Sequence, residues 1–228
     1  NPLLQSWSSS QHAIWSGFSG ELAEAERWAV TADRYLELVG EGLGPRGVGI
    51  LHRSVIRSST IYAQSYARAQ LGEHLDWIES LPALSARSVA AGYLVTPAMI
   101  EVIHGAQMTY LGRYEEAEAS LARGRAINER AGTEAAGISG ACFWTDLALA
   151  YGDLDEAKRR LATTDGSMIA ARSIHARSRI AKRRAAFALI EDQPLEAERL
   201  AHEGLALVSA QGIPLETFEQ LEVLAQVA

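Results

Sequence analysis

A pattern that returns every 40 residues is the feature that most restricts what this chain can fold into. Segments Gly20–Ala25, Gly72–Trp77, Gly112–Ala117, Gly152–Ala157 and Asp192–Ala197 each open on a turn-forming residue, continue through acidic residues and close on Ala, or on Trp in the second copy. The closing positions 77, 117, 157 and 197 are 40 residues apart, and the first interval, from 25 to 77, is 52. A fixed period of this length marks stacked supersecondary units, each of which buries its apolar face on its neighbours.

Every part of the pattern has a physical task. Gly, or Asp in the last copy, stands where one helix ends, because a left-handed cap is free of steric cost only for Gly. The acidic residues fall in the first turn of the next helix, where they face free amides and the positive end of its dipole. The closing Ala lets two antiparallel helices approach closely. Twelve residues upstream stand Ala13, Ser65, Gly105, Thr145 and Ala185, all small, and four residues downstream stand Ala29, Leu81, Leu121, Leu161 and Ala201, all apolar. Three features in one register predict tandem helical hairpins.

The residue balance agrees. Ala, Leu, Glu and Arg dominate, and such unbranched side chains lose little rotamer freedom in a helix, so the expected class is all-α. With 48% apolar residues the chain can bury a sizeable core. The net charge of -7 argues against direct contact with nucleic acid. One cysteine, Cys142, forms no internal disulfide, which suits a reducing, cytoplasmic setting. Apolar stretches such as 89–95 are far shorter than the roughly 20 residues that span a bilayer, and no signal peptide is visible. Because Asn1 is not a start methionine and 215–228 reads as a helix of apolar period with no partner after it, the chain is expected to be a fragment of a longer protein.

The small residue, the Gly and the Ala at these offsets resemble the tetratricopeptide repeat, with a period of 40 instead of about 34. Repeats of this length resemble the helical sensor region of large ATP-binding LuxR-type bacterial transcription regulators of the maltose-regulator kind, and 195–207 is the most similar stretch. The resemblance implies a right-handed superhelical solenoid. It also implies flanking ATP-binding and DNA-binding domains in the same polypeptide, and a small-molecule effector or regulatory protein as partner.

Hairpins are expected near 5–39, 50–90, 98–131, 138–165 and 174–211, with a last helix from 214, all in one domain spanning 1–228. Thr133 and Ser167 are expected N-caps, and Pro214 suits a first helical position. The glycine-rich segment 40–49 has no Walker lysine and follows a helix rather than a strand, so it reads as a loop absorbing the long first interval. His12, His52, His74, His104, His175 and His202 show no metal-ligand spacing, and most of them read as surface or boundary residues. No nucleophile motif surrounds Cys142, no cofactor motif is present, and catalysis is not expected.

The tetratricopeptide register, carried over residue by residue, points Trp7, Ser10, Ile14, Ser59, Tyr62, Tyr66, Met99, Val102, Ala106, Ser139, Cys142, Asp146, Arg179, Lys182 and Ala186 into a concave groove, with Phe143 and Arg183 beside them. The groove so drawn runs from aromatic and apolar to basic. Tyr62 and Tyr66, at i and i+4, form either a ligand pocket or a contact between repeats. The cluster Arg172, Arg177, Arg179, Lys182, Arg183 and Arg184 either binds an anion or is a solvated face with Asp146 as counter-ion. Two functions fit: an effector-sensing module whose ligand has an apolar body and an anionic end, or a scaffold that binds peptides or partner helices.

Overall fold

The structure, a computed structural model, describes residues 1–19, 21–39, 56–57, 59–61, 64, 75–90, 94–132, 135–209 and 214–227. These are helices and their turns, with no strand among the described residues. The helices are α1 (Pro2–Phe18), α2 (Leu22–Leu38), α3 (Leu75–Ala90), α4 (Val95–Tyr110), α5 (Tyr114–Ala131), α6 (Ala135–Ala150), α7 (Leu154–Ala162), α8 (Met168–Arg172), α9 (Ile174–Ile190), α10 (Pro194–Ser209) and α11 (Pro214–Val227). The all-helical class agrees with these spans. Segment 40–49, Tyr62, Ser65, Tyr66, His52, His74 and Thr133 lie outside the described residues.

The chain divides into two compact units, 1–101 and 102–228. In the first, α1 packs on α2, with Ala13 and Ala29 fully buried at the crossing beside Ile14 and Trp28. The Ser6 hydroxyl donates to the Ala32 carbonyl at 2.6 Å, tying the two helices further along.

In the second unit the repeat is visible in the backbone of its turns. Gly112, Gly152 and Asp192 all have positive φ, at 73°, 77° and 57°. At each turn the same two bonds close the preceding helix: Arg113 N to Met108 O and Gly112 N to Thr109 O, Asp153 N to Ala148 O and Gly152 N to Leu149 O, Gln193 N to Ala188 O and Asp192 N to Leu189 O. This is the Schellman arrangement, which satisfies carbonyls the helix would otherwise leave orphaned.

The closing Ala residues Ala25, Ala117, Ala157 and Ala197 are all fully buried. Helices α5 and α10 bury the same register 80 residues apart: Ala117, Ser120, Leu121 and Gly124 in one, Ala197, Leu200, Ala201 and Gly204 in the other. At the α4/α5 crossing a Cβ added to Gly105 would stand 2.6 Å from Leu121 Cγ and 3.1 Å from the Ala117 carbonyl oxygen. In the α9/α10 hairpin the corresponding pair is Ala185 and Ala201, in one buried cluster. Volume is thus shared differently at equivalent crossings, Gly with Leu in one and Ala with Ala in the other.

Helix α7 has nine residues, fewer than its counterparts. The Thr163 and Thr164 hydroxyls donate back to the Arg160 and Leu161 carbonyls, and Gly166 takes a positive φ. Such local bonds compete with helix continuation. Ser167 then caps α8, accepting from Ala170 N at 3.3 Å.

Candidate functional site

Helix α9 explains why side chains converge in the second unit. It packs against α10, α11, α6, α7 and α8, so residues on several of its sides are buried, Arg183 among them. A guanidinium in that position needs partners for its donors. Its Nε donates to the Cys142 carbonyl at 2.9 Å, its Nη1 to the Arg179 carbonyl at 2.9 Å, and its Nη2 to the Asp146 carboxylate. Burial opposes the charge on Arg183 most strongly, but Asp146 together with Cys142, Tyr110 and Glu219 outweighs it and holds the guanidinium pKa above its ordinary value. Asp146 is the counter-ion anticipated for this cluster, while Arg183 itself is buried instead of solvated.

Three of the other cations have partners too. Arg179 Nε lies 3.3 Å from Glu216, and Lys182 Nζ lies 3.8 Å from Glu219 and 3.7 Å from Glu222, all three carboxylates on α11. Arg184 pairs with Asp165 at 3.2 Å. Phe143 lies near two of the guanidinium groups, with Arg179 and Arg183 each 5.8 Å from its ring centre, within cation–π range. Cys142, Phe143, Asp146, Arg179 and Arg183 are therefore brought together as α6 meets α9, whereas Lys182 reaches toward α11. Within the basic cluster each of Arg179, Lys182, Arg183 and Arg184 faces a carboxylate, while Arg172 and Arg177 are exposed.

Several groove candidates occupy other places. Cys142 has no exposed surface, and burial raises its thiol pKa, so it is a core residue and a poor nucleophile. Val102, Ala106 and Ser10 are also buried. Trp7, Ile14, Ser59 and Met99 belong to the first unit and are half-buried; Ile14 packs on the Ala13–Ala29 cluster. Ser139 and Ala186 are half-buried in the second unit.

Sequence reasoning missed the contribution of α11. The face that read as apolar carries Glu216 and Gln220, both buried, beside Val223, while Phe218 and Leu221 are exposed. Glu216 accepts from His175 Nδ1 at 2.9 Å as well as facing Arg179. Gln220 Nε2 donates to the Ser178 carbonyl at 3.0 Å and hydroxyl at 3.1 Å. His175 is therefore part of a polar contact between helices, and so is His104, whose Nδ1 lies 2.6 Å from Ser120 Oγ; neither is a bland boundary residue. The one signal available was the i, i+4 placement of Glu216 and Gln220 on a face otherwise destined for burial.

Chemically this arrangement orients and cross-links. Glu216 is 1% exposed, so its carboxylate offers a substrate no surface. Among the described residues no group of three or more His, Cys, Asp or Glu is placed to hold a metal, and no helix is long and apolar enough to cross a membrane. No protein family, no curated protein and no solved structure matches the chain.

Proposed function

We propose that this chain is a non-catalytic recognition module, the sensor region of a cytoplasmic LuxR-type transcription regulator, that binds a regulatory protein or effector along the face made by the first helices of its hairpins. In this reading the hairpins continue as a right-handed superhelical solenoid of tetratricopeptide type, and the first helices line its inner side. Flanking ATP-binding and DNA-binding domains of the same polypeptide receive the signal.

The observation that carries the reading is the ladder of ion pairs from α6 to α9 to α11 around the half-buried Phe143. A ligand that offers its own charges to Asp146, Lys182 or Glu219 competes with the bonds that set the spacing of successive hairpins. Binding then favours one arrangement over another, which is what a sensor requires. A partner of mixed charge, such as a peptide segment or a protein surface, suits this face better than a simple anion, because its cations are already paired.

Peptide display and a thermal-shift screen of metabolites, run on the intact chain and on the Phe143→Ala/Lys182→Glu variant, test the proposal. A ligand of the native state raises Tm, by mass action. The expected result is a hit whose shift disappears in the variant; hits that survive the double substitution place recognition elsewhere and refute this assignment.

A further inference from the structure

On the other side of α6 lies a cleft that the ion-pair ladder does not explain. It has a volume of about 290 Å³, close to the lower end of the range of about 300–1,000 Å³ for small-molecule sites. Gly137 and Gly140 of α6 line it, with Val102 and Leu121 across from them and Trp144 and Arg160 also in its wall.

The two glycines are the first clue. Neither has a positive φ. A Cβ on Gly140 would meet Val102 Cγ2 at 3.7 Å, an ordinary contact, and one on Gly137 would meet only the end of the Asn128 amide at 3.4 Å. Glycine inside a helix is destabilising relative to alanine, and at Gly105 and Gly204 the reason is steric, because an added Cβ would stand within 2.6 Å of Leu121 and 2.5 Å of Gln220. At Gly137 and Gly140 no neighbour demands the missing atom, and what the absence leaves is space.

Arg160 is the second, independent clue. Its guanidinium lies over the Trp144 ring, 4.5 Å from the centre, and its Nε donates to Glu156 Oε1 at 2.6 Å. Among the described residues its remaining N–H groups have no protein acceptor. A guanidinium fixed by one carboxylate and one aromatic face, with its outer donors unused, is prepared for a second planar anion.

We infer that this cleft binds a small monocarboxylate with a planar aromatic body, the carboxylate on the free N–H groups of Arg160 and the ring against Trp144, Gly137 and Gly140. The site uses no residue of the first-helix ladder, so it stands or falls independently of the recognition face assigned above.

Calorimetric titration with phenylacetate, indole-3-carboxylate and indole-3-acetate tests it, with phenylacetamide as the neutral control. At least one acid is expected to bind with Kd of about 0.1–1 mM, the range open to ligands of this size, and the amide at least tenfold more weakly. Arg160→Met should weaken the acid tenfold or more. Gly137→Leu fills the cleft at an exposed position where only a flexible side-chain end is near, and Gly140→Ala adds a methyl group in ordinary contact. Both should keep or raise Tm while weakening the acid at least tenfold, the combination expected where stability has been given up for a site. No saturable binding of any acid up to about 10 mM, equal affinity for acid and amide, or full affinity in the cleft-filling variants overturns the inference.

Discussion

The closest crossings within hairpins and the polar bonds between successive hairpins use different materials in the second unit, although His104 and Ser120 also join α4 to α5 by a polar contact and apolar residues of α6 and α9 share one core cluster. Within the hairpins, small and apolar residues close the crossings: Gly105 against Leu121, and Ala185 beside Ala201. Between them, α6 meets α9 through Asp146, Arg183 and the Cys142 carbonyl, and α9 meets α11 through His175, Glu216, Ser178 and Gln220. Close packing repeats because the same two helices cross in the same way each time. Polar bonds specify which hairpin follows which, since a hydrogen bond between unlike partners tolerates no exchange of position.

The largest effect should come from breaking a contact between hairpins. Asp146→Leu leaves the Arg183 guanidinium, 4% exposed, without its counter-charge, and removing one member of a buried pair costs about 3–5 kcal/mol. The double substitution Asp146→Leu/Arg183→Met removes the charge as well as its partner and should regain most of that loss. Urea unfolding measures both. If single and double variants lose equal stability, the ion pair is not what joins α6 to α9.

A contact within a hairpin should cost less and respond to volume. Gly105→Ala pushes a methyl group into Leu121 and the Ala117 carbonyl, an overpacking expected to cost about 1–3 kcal/mol. Combining it with Leu121→Ala recreates the Ala–Ala pair that works at 185 and 201, so the two changes should couple favourably by about 1 kcal/mol or more. Simple additivity in a double-mutant cycle would show that the crossings are not interchangeable.

This division explains what could be read from the sequence. The 40-residue register exposed the hairpins because Gly112, Gly152, Ala117, Ala157 and Ala197 do the same steric job at every turn and crossing. Asp146 was offered as a counter-ion because opposite charges 37 residues apart, close to one period, fall on neighbouring first helices. Glu216 and Gln220 were missed because their burial depends on the face α11 turns toward α9, which no local periodicity encodes when the buried positions are polar and Phe218 and Leu221 are exposed. Cys142 was placed in a groove because the register fixes a side chain's direction along its own helix, but not how closely the next helix covers it. The cleft beside Trp144 was invisible for a related reason: Gly137 and Gly140 resemble packing glycines until the atoms around them are known.

The smallest effect belongs to the turn, where all three hairpins of the second unit follow one design and only the last departs in sequence. Asp192 makes the same pair of capping bonds as Gly112 and Gly152 but holds φ at 57°, a region where a Cβ crowds the following carbonyl. Aspartate tolerates this better than most residues, and glycine brings extra entropy to the unfolded chain, so the two effects partly offset. Asp192→Gly should therefore stabilise by about 0.5 kcal/mol, and Gly152→Asp should destabilise by a similar amount. Because Asp192 is exposed and its side chain is not needed for either bond, salt should not alter the gain. A loss of stability in Asp192→Gly, or a gain that vanishes in high salt, would mean that the carboxylate and not the backbone governs this turn.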